Sequence, residues 1–171
     1  MTRRNGCEHR AVPIIIGTHT VFAGGTYYLE RGDLNGIDVI VPLTNVGGKA
    51  LAQLRKRHQL IDMALPDFGG VPSNWKDRLE AEIIPLLASG KSLCAFCVAS
   101  HGRTGTFLAS LIALLEPQTT DPIAAVRARH CRRAVESRAQ AEAIFALRGK
   151  ALPKRYRVEF APRPSQPKTT T

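Results

Sequence analysis

The sequence predicts an α/β fold: a single domain with a mainly parallel central sheet of about four to five strands flanked by helices. Three observations carry that expectation. Strand-like and helix-like segments alternate along the chain, the pattern of a sheet whose strands are joined by helical crossovers. The run GIDVIVPL at 36–43 is almost continuously apolar and β-branched, as a strand buried on both faces of a parallel sheet would be. A chain of 171 residues, 44% hydrophobic, can bury one core without disulfide or metal staples.

The elements follow in order. Residues 1–11 are a polar, basic N-terminal segment; VPIII (12–16) and TVFAG (20–24) read as short strands, with Gly24 and Gly25 as punctuation. After the strand at 36–43, KALAQLRKRH (49–58) places Leu51, Leu54 and the stem of His58 at helical spacing, and LIDMAL (60–65) is the next strand. PDFGGVPSN (66–74) has the composition of a loop. Ser73 or Asn74 caps a helix with Trp75, Leu79, Ile83 and Leu86 or Leu87 on its apolar face, kinked or shortened by Pro85. SLCAF (92–96) is a short strand, and TFLASLIALLEP (106–117) is a helix apolar enough to be buried. Asp121 and Pro122 start another helix reaching about Arg129, and a last one runs over 137–147 before Gly149. The expected domain is therefore 12–150, followed by a basic, Pro-rich tail at 151–171 expected to be disordered.

Charge and cysteine usage narrow the function classes. A formal net charge of +10, with arginine in excess of lysine, suits bidentate contact with phosphate or carboxylate, or a solvated helix face. By itself it leaves nucleic acid, lipid headgroups and phosphoprotein open. The four cysteines are too few and too irregular for a disulfide framework, and no apolar run approaches a membrane span, so the expectation is a cytoplasmic protein without stable membrane insertion.

The chemistry concentrates in FCVASHGRTG, residues 96–105, where a strand ends, a loop follows and a helix begins. Unpaired amides at a helix start, together with the helix dipole, attract anions. Gly102 and Gly105 would let the loop turn with its amides inward, and Arg103 offers a rigid fork of donors for two phosphate oxygens. Cys97 stands at the head of this loop, where these groups favour thiolate over thiol. A nucleophile beneath a bound phosphoryl group suits covalent cleavage of a phosphate ester.

These residues resemble the phosphate-binding loop of the cysteine-dependent protein tyrosine and dual-specificity phosphatases, whose pattern is His-Cys, five residues, then Arg-Ser/Thr-Gly. LPDFGGVPSNW (65–75) is similar to that family's mobile acid loop, with Pro66-Asp67 as its Pro-Asp pair and Pro72 closing it. AVRARHCRRAVESRAQAEAIF (125–145) resembles its final helices, with Gln140 in the place of a glutamine that faces the active site. The resemblance implies a protein tyrosine phosphatase-like fold over about 35–148 and a role for each residue. Cys97 would attack phosphorus; the amides of Val98, Ala99, Ser100, His101, Gly102 and Arg103, with the Arg103 guanidinium, would hold the equatorial oxygens. Asp67 would protonate the leaving oxygen and then act as base, Thr104 would ease departure of the thiolate, and Gln140 would position water. No cofactor or metal is required.

Two residues depart from the pattern: Phe96 replaces the histidine before the cysteine, and Ser100 replaces a glycine. Ser100 is expected to be tolerated if its φ is negative, with its hydroxyl free to replace a loop hydrogen bond, and Phe96 is expected to alter the cysteine and the rigidity of the loop. The implied function is hydrolysis of phosphotyrosine and of phosphoserine or phosphothreonine in protein substrates through a cysteinyl-phosphate. Phosphoinositides and RNA 5′-phosphates remain alternative substrates, and a non-catalytic phosphate-binding module is the alternative outside the enzymes. Cys94-x-x-Cys97 with His101 lacks the second ligand pair of a zinc site, and alternation along a strand points the two thiols to opposite faces; a protective Cys94–Cys97 disulfide stays open. Asp62 and Asp77 have structural explanations where Asp67 has none, Trp75 reads as a core anchor, and Arg127, Arg129, Arg132 and Arg133 are either a solvated face or a flank of the pocket.

Overall fold

The β-branched runs assemble into one five-stranded sheet. In the computed structural model, which describes residues 7, 9–29 and 34–162, β1 (Val12–Ile16) and β2 (His19–Gly25) form an antiparallel pair. β2 then lies parallel to β5 (Leu93–Cys97), β5 to β3 (Val39–Pro42) and β3 to β4 (Gln59–Leu60), giving the order β1-β2-β5-β3-β4. The sheet is mixed, with its parallel strands at the centre and far edge. β5 sits in the middle, and the register Gly25 to Cys97 and Pro42 to Phe96 brings three strand ends together at the carboxyl edge. Ligand sites of parallel sheets lie outside that edge.

Alternation along β5 divides the core in two. Leu93, Ala95 and Cys97 join the larger cluster, with Phe107, Leu111 and Ile144, whereas Cys94 and Phe96 join a smaller one with Leu29, Ile37 and Ile40. Cys94 and Cys97 thus face opposite sides of the sheet, each with a free thiol, and a bond between them would require β5 to come apart. Burial pushes the Cys94 thiol up to about 12, removing it further from exchange chemistry.

The helices are α1 (Thr26–Leu29), α2 (Gly48–Arg55), α3 (Trp75–Arg78), α4 (Ile84–Ala88), α5 (Gly102–Leu115), α6 (Pro122–Arg129), α7 (Arg138–Ala146) and α8 (Lys154–Glu159). α5 is buried from Gly102 to Ala113, which explains an apolar sequence on every side. It begins four residues earlier than its apolar run suggests, so Arg103 and Thr104 occupy its first turn. Between α3 and α4 lies a π-helical turn, Leu79–Ile83, directly before Pro85. The proline has no N–H to donate and its ring crowds the preceding turn, so the helix widens there rather than ending. Trp75 is 2% exposed, donates from Nε1 to Ser110 Oγ at 3.1 Å and meets Phe107 edge to face, as a core anchor does.

Several boundaries differ from expectation. β4 covers only Gln59–Leu60, but Ile61, Met63 and Leu65 continue to donate to β3 and its extension and are buried, while Asp62 and Ala64 face outward. The segment is an edge strand that loses its ladder while keeping its alternation. α1 was not foreseen. The largest correction is at the C-terminus: α8 lies inside the tail expected to be disordered, and positions 163–171 fall outside the described residues. Tyr156 anchors α8 with 3% exposure, a hydroxyl donating to the Asp121 carboxylate at 2.9 Å, and ring contacts with Phe145 and Phe160. Tail composition concealed one apolar face, Tyr156 and Phe160, spaced a helical turn apart. Among the described residues no helix is long and apolar enough to cross a membrane.

Candidate active site

Cys97 ends β5, and residues 98–101 form the loop that leads directly into α5. Thr104, on the first turn of α5, donates from Oγ1 to Cys97 Sγ at 3.1 Å. This is the contact that a thiolate nucleophile and leaving group would use. Arg103, also on that turn, is buried beside the loop; its Nη1 donates to Thr44 Oγ1 at 3.0 Å, and its Nη2 lies 3.3 Å from Asp67 Oδ1. Its Nε–H, buried as well, has no partner. A guanidinium fixed from one side with an unmet N–H is prepared for further oxygens.

The structure therefore brings Cys97, Arg103, Thr104 and Asp67 together from separate segments. Cys97, Arg103 and Asp67 line a cleft of about 640 Å³ with Val98, Ala99, His101 and Gly102 from the loop, joined by Cys7, His9, Gly25, Tyr27, Phe68, Arg133 and Glu136, while Thr104 is buried beneath it. Tyr27, Phe68 and Val98 stand more than half exposed around it, an apolar rim on a polar floor. Of the arginine run, Arg133 reaches the cleft, whereas Arg127 donates to the carbonyls of Ala134 and Val135 and pairs with Glu159, and Arg129 grips Glu116.

Gln140 lies elsewhere than the wall of the cleft. It is 1% exposed behind the loop, its Oε1 accepts from the Glu136 amide at 2.8 Å, and its Nε2 has no partner. Glu136 takes the place on the wall. A Cβ on Gly102 would come within 2.8 Å of Glu136 Oε2 and 2.9 Å of Gln140 Nε2, and one on Gly105 within 2.6 Å of the Val135 amide. These glycines are required by close approach of the α6–α7 turn, not by the bend of the loop as expected.

The bend falls on Ser100, whose φ is +59°, so the condition of a negative φ under which a serine would be tolerated there is not met. The left-handed conformation costs a non-glycine residue about 1–2 kcal/mol. His130 offsets part of it. Its Nε2 lies 2.7 Å from the Ser100 carbonyl oxygen and 3.3 Å from Ser100 Oγ, so the ring donates Nε2–H to the carbonyl. Burial lowers the His130 pKa, consistent with a neutral imidazole carrying its proton on Nε2. Phe96, where a histidine would support the loop, is buried in the smaller core and its carbonyl accepts from Leu43 N at 2.9 Å. Loop support has moved from the preceding residue to His130.

Thr44, His130 and Glu136 were missed in the sequence. Thr44 follows β3 at the same carboxyl edge as the motif, which was a usable signal; the other two carry none. No protein-family model and no curated protein sequence matches the chain. Solved structures do: Tk-PTP in the active form aligns at 17% identity with a TM-score of 0.65, covering 79% of this chain and 95% of that one. Kinase associated phosphatase aligns at 13% and 0.60, covering 89% and 97%. PTPMT1 in complex with PI(5)P aligns at 14% and 0.60, covering 81% and 92%. The chain has the fold of the protein tyrosine and dual-specificity phosphatases, with a cysteine, an arginine and an aspartate gathered at the carboxyl edge of its sheet.

Proposed function

We propose that this protein is a cysteine-dependent phosphatase that hydrolyses phosphotyrosine, and also phosphoserine and phosphothreonine, in protein substrates. The observation that carries the reading is the convergence on one cleft of Thr104 Oγ1 at 3.1 Å from Cys97 Sγ and of Asp67 at 3.3 Å from Arg103. Phosphate oxygens entering the cradle would compete with Asp67 for the guanidinium and satisfy its remaining N–H. Cys97 Sγ forms a bond to phosphorus as the ester P–O bond breaks, and a protonated Asp67 gives its proton to the departing oxygen. Water then attacks the cysteinyl-phosphate, Asp67 takes its proton, and the S–P electrons return to sulfur as a thiolate, to which the Thr104 hydroxyl donates its hydrogen bond. Gln140 acts in this reading by holding the loop through Glu136.

The apolar rim of Tyr27, Phe68 and Val98 supports phosphotyrosine, because an aromatic ring can lie against it while its phosphate reaches the floor. A phosphoinositide is a second reading: PTPMT1 is seen with PI(5)P, and Arg133 adds a cation at the mouth. Four free thiols support a reducing, cytoplasmic location.

The test is release of phosphate from an aryl phosphate by the wild type, Cys97→Ser and Asp67→Asn. Turnover falls by about 10⁴-fold or more in the serine variant, as for other lost nucleophiles, and by about 10²–10⁴-fold in the asparagine variant, the range of a general acid. A wild type that binds phosphopeptide without turnover would instead establish a phosphate-binding module. Phosphotyrosine, phosphothreonine, phosphoinositide and triphosphorylated RNA substrates, compared by kcat/KM, then select the class.

A further inference from the structure

We propose that Cys7, His9, His101 and Cys131 form a tetrahedral zinc site that pins the N-terminal segment and the α6–α7 turn to the phosphate loop. Each residue supplies one ligand atom, and the four atoms lie within 4.8 Å of one another. The site draws on three separate segments. Cys7 and His9 precede β1, His101 is the last loop residue before α5, and Cys131 follows α6.

The geometry fits zinc better than it fits any other use of these groups. With Zn–S of about 2.3 Å and Zn–N of about 2.0–2.1 Å, the edges of a tetrahedron are about 3.3–3.8 Å. The Cys7 and Cys131 sulfurs are 3.6 Å apart, the spacing of two thiolates on one zinc and far beyond a disulfide bond. A pair at the 4.8 Å limit would need to close by about 1 Å, a distance within reach of side-chain rotation.

The nitrogens supply independent support. His9 and His101 are at least nine-tenths buried, and Nε2 of each has no hydrogen-bond partner, an arrangement that is costly unless something fills it. Their rings meet edge to face at 4.9 Å. Metal-bound imidazoles usually direct the other nitrogen to a carboxylate, and His101 Nδ1 lies 3.7 Å from Glu136 Oε1. The Arg133 amide donates to Cys131 Sγ at 3.4 Å, which orients the sulfur. His130 lies against His9, with ring centroids 4.8 Å apart and a buried Nδ1 that has no partner among the described residues, but it stands outside the close group of four, and its Nε2 is committed to Ser100.

Two thiolates balance the charge of the ion, and binding releases the two thiol protons. The site would thus add rigidity to the loop at His101 without changing the net charge of the phosphate cradle. This inference concerns a structural metal and stands whether or not the cleft hydrolyses phosphate.

The experiment uses the full chain, purified under reducing conditions, stripped by chelator, supplied with one equivalent of zinc and freed of excess by dialysis. One zinc per chain is expected by elemental analysis. Cobalt(II) in its place should show the d–d absorption of a tetrahedral site and a thiolate-to-cobalt charge-transfer band, a readout on the wild type that no misfolded variant can confuse. His9→Ala and Cys131→Ser should each retain less than about one tenth of an equivalent, while Cys97→Ser retains the full equivalent. The proposal is overturned by a wild type that keeps less than about one tenth of an equivalent, by a Cys7–Cys131 disulfide in the peptide map of the same preparation, or by zinc lost with Cys97→Ser, which would place the ion on the nucleophile.

Discussion

The two sides of the phosphate loop are built differently. Its front presents Cys97, Arg103 and Thr104, three residues within one strand end and one helical turn, with Asp67 and Thr44 arriving from strands beside it. Its rear is held by His130, Glu136 and the backbone at Val135 from the turn between α6 and α7, and by Gln140 from the first turn of α7. The front faces the cleft and leaves the Arg103 Nε–H without a partner among the described residues, whereas the rear bonds mainly to the protein, through His130 Nε2 and Gln140 Oε1. Changes at the front should therefore alter rate with little effect on stability, and changes at the rear should alter stability first.

The largest test of that contrast at the front, after the nucleophile itself, is Arg103→Lys. An ammonium cannot reach Thr44, Asp67 and a phosphate with one fixed fork. Turnover of an aryl phosphate should fall by about 10²–10³-fold, the scale of a lost oxyanion donor, while the melting temperature stays within a few degrees. A large loss of stability with the rate preserved would mean that Arg103 is a core residue, and the contrast would fail.

At the rear, Gly105→Ala is the matching change. A methyl group there would sit 2.6 Å from the Val135 amide and 2.9 Å from Ala134 Cα, and backbone cannot swing aside as a side chain can. Overpacking of this kind costs about 1–3 kcal/mol, to be measured by denaturant unfolding. An unchanged midpoint would show that the turn does not support the loop as closely as its contacts indicate.

Farther behind the site, Glu116 joins the β1–β2 turn to α6. It accepts from Gly17 N at 2.7 Å and Thr119 Oγ1 at 2.9 Å and pairs with Arg129 at 2.6 Å. The Arg129 hydrogen bond is the main reason its carboxyl falls to about 2. A carboxyl lowered in the folded state contributes stability that is fully present above its unfolded value, near 4.5, and is lost as pH falls toward 2. Glu116→Gln should lower stability at neutral pH and flatten the acid side of the stability curve. Equal slopes for wild type and variant between these pH values would remove Glu116 from the scaffold.

The same contrast explains what could be read in advance. The front was legible because its residues are close in sequence and their types match their chemistry: a cysteine at a strand end, then Arg-Thr-Gly at a helix start. Asp67 was legible from the resemblance of LPDFGGVPSNW to the family's acid loop, and because Asp62 within a strand and Asp77 in a first helical turn had structural explanations that Asp67 lacked. The strand order β1-β2-β5-β3-β4 and the rear of the loop were not legible, because both depend on contacts across long separations that leave no local pattern. His130 is 30 residues from Ser100 and stands inside an arginine-rich run whose composition suggests only a solvated face. α8 was missed for a related reason: one buried and one half-buried aromatic, Tyr156 and Phe160, among basic residues and prolines are too few to outweigh the composition around them.

Ser100 is where the two regions meet, and it gives the finest test. Its amide belongs to the front, its carbonyl and hydroxyl belong to His130, and its φ of +59° is one that glycine adopts at little cost. Ser100→Gly removes the strain and the 3.3 Å contact between Oγ and His130, but keeps the 2.7 Å bond to the carbonyl. Relief of about 1–2 kcal/mol of strain is opposed by the greater freedom of glycine in the unfolded chain, about 0.5–1 kcal/mol, and by the lost hydroxyl contact. Stability should move by less than about 1 kcal/mol, and turnover should stay within about threefold because the amides keep their direction. If turnover fell tenfold or more with stability unchanged, the serine hydroxyl would have to act at the front of the loop, and the division between the reacting side and the supporting side would need to be redrawn through Ser100.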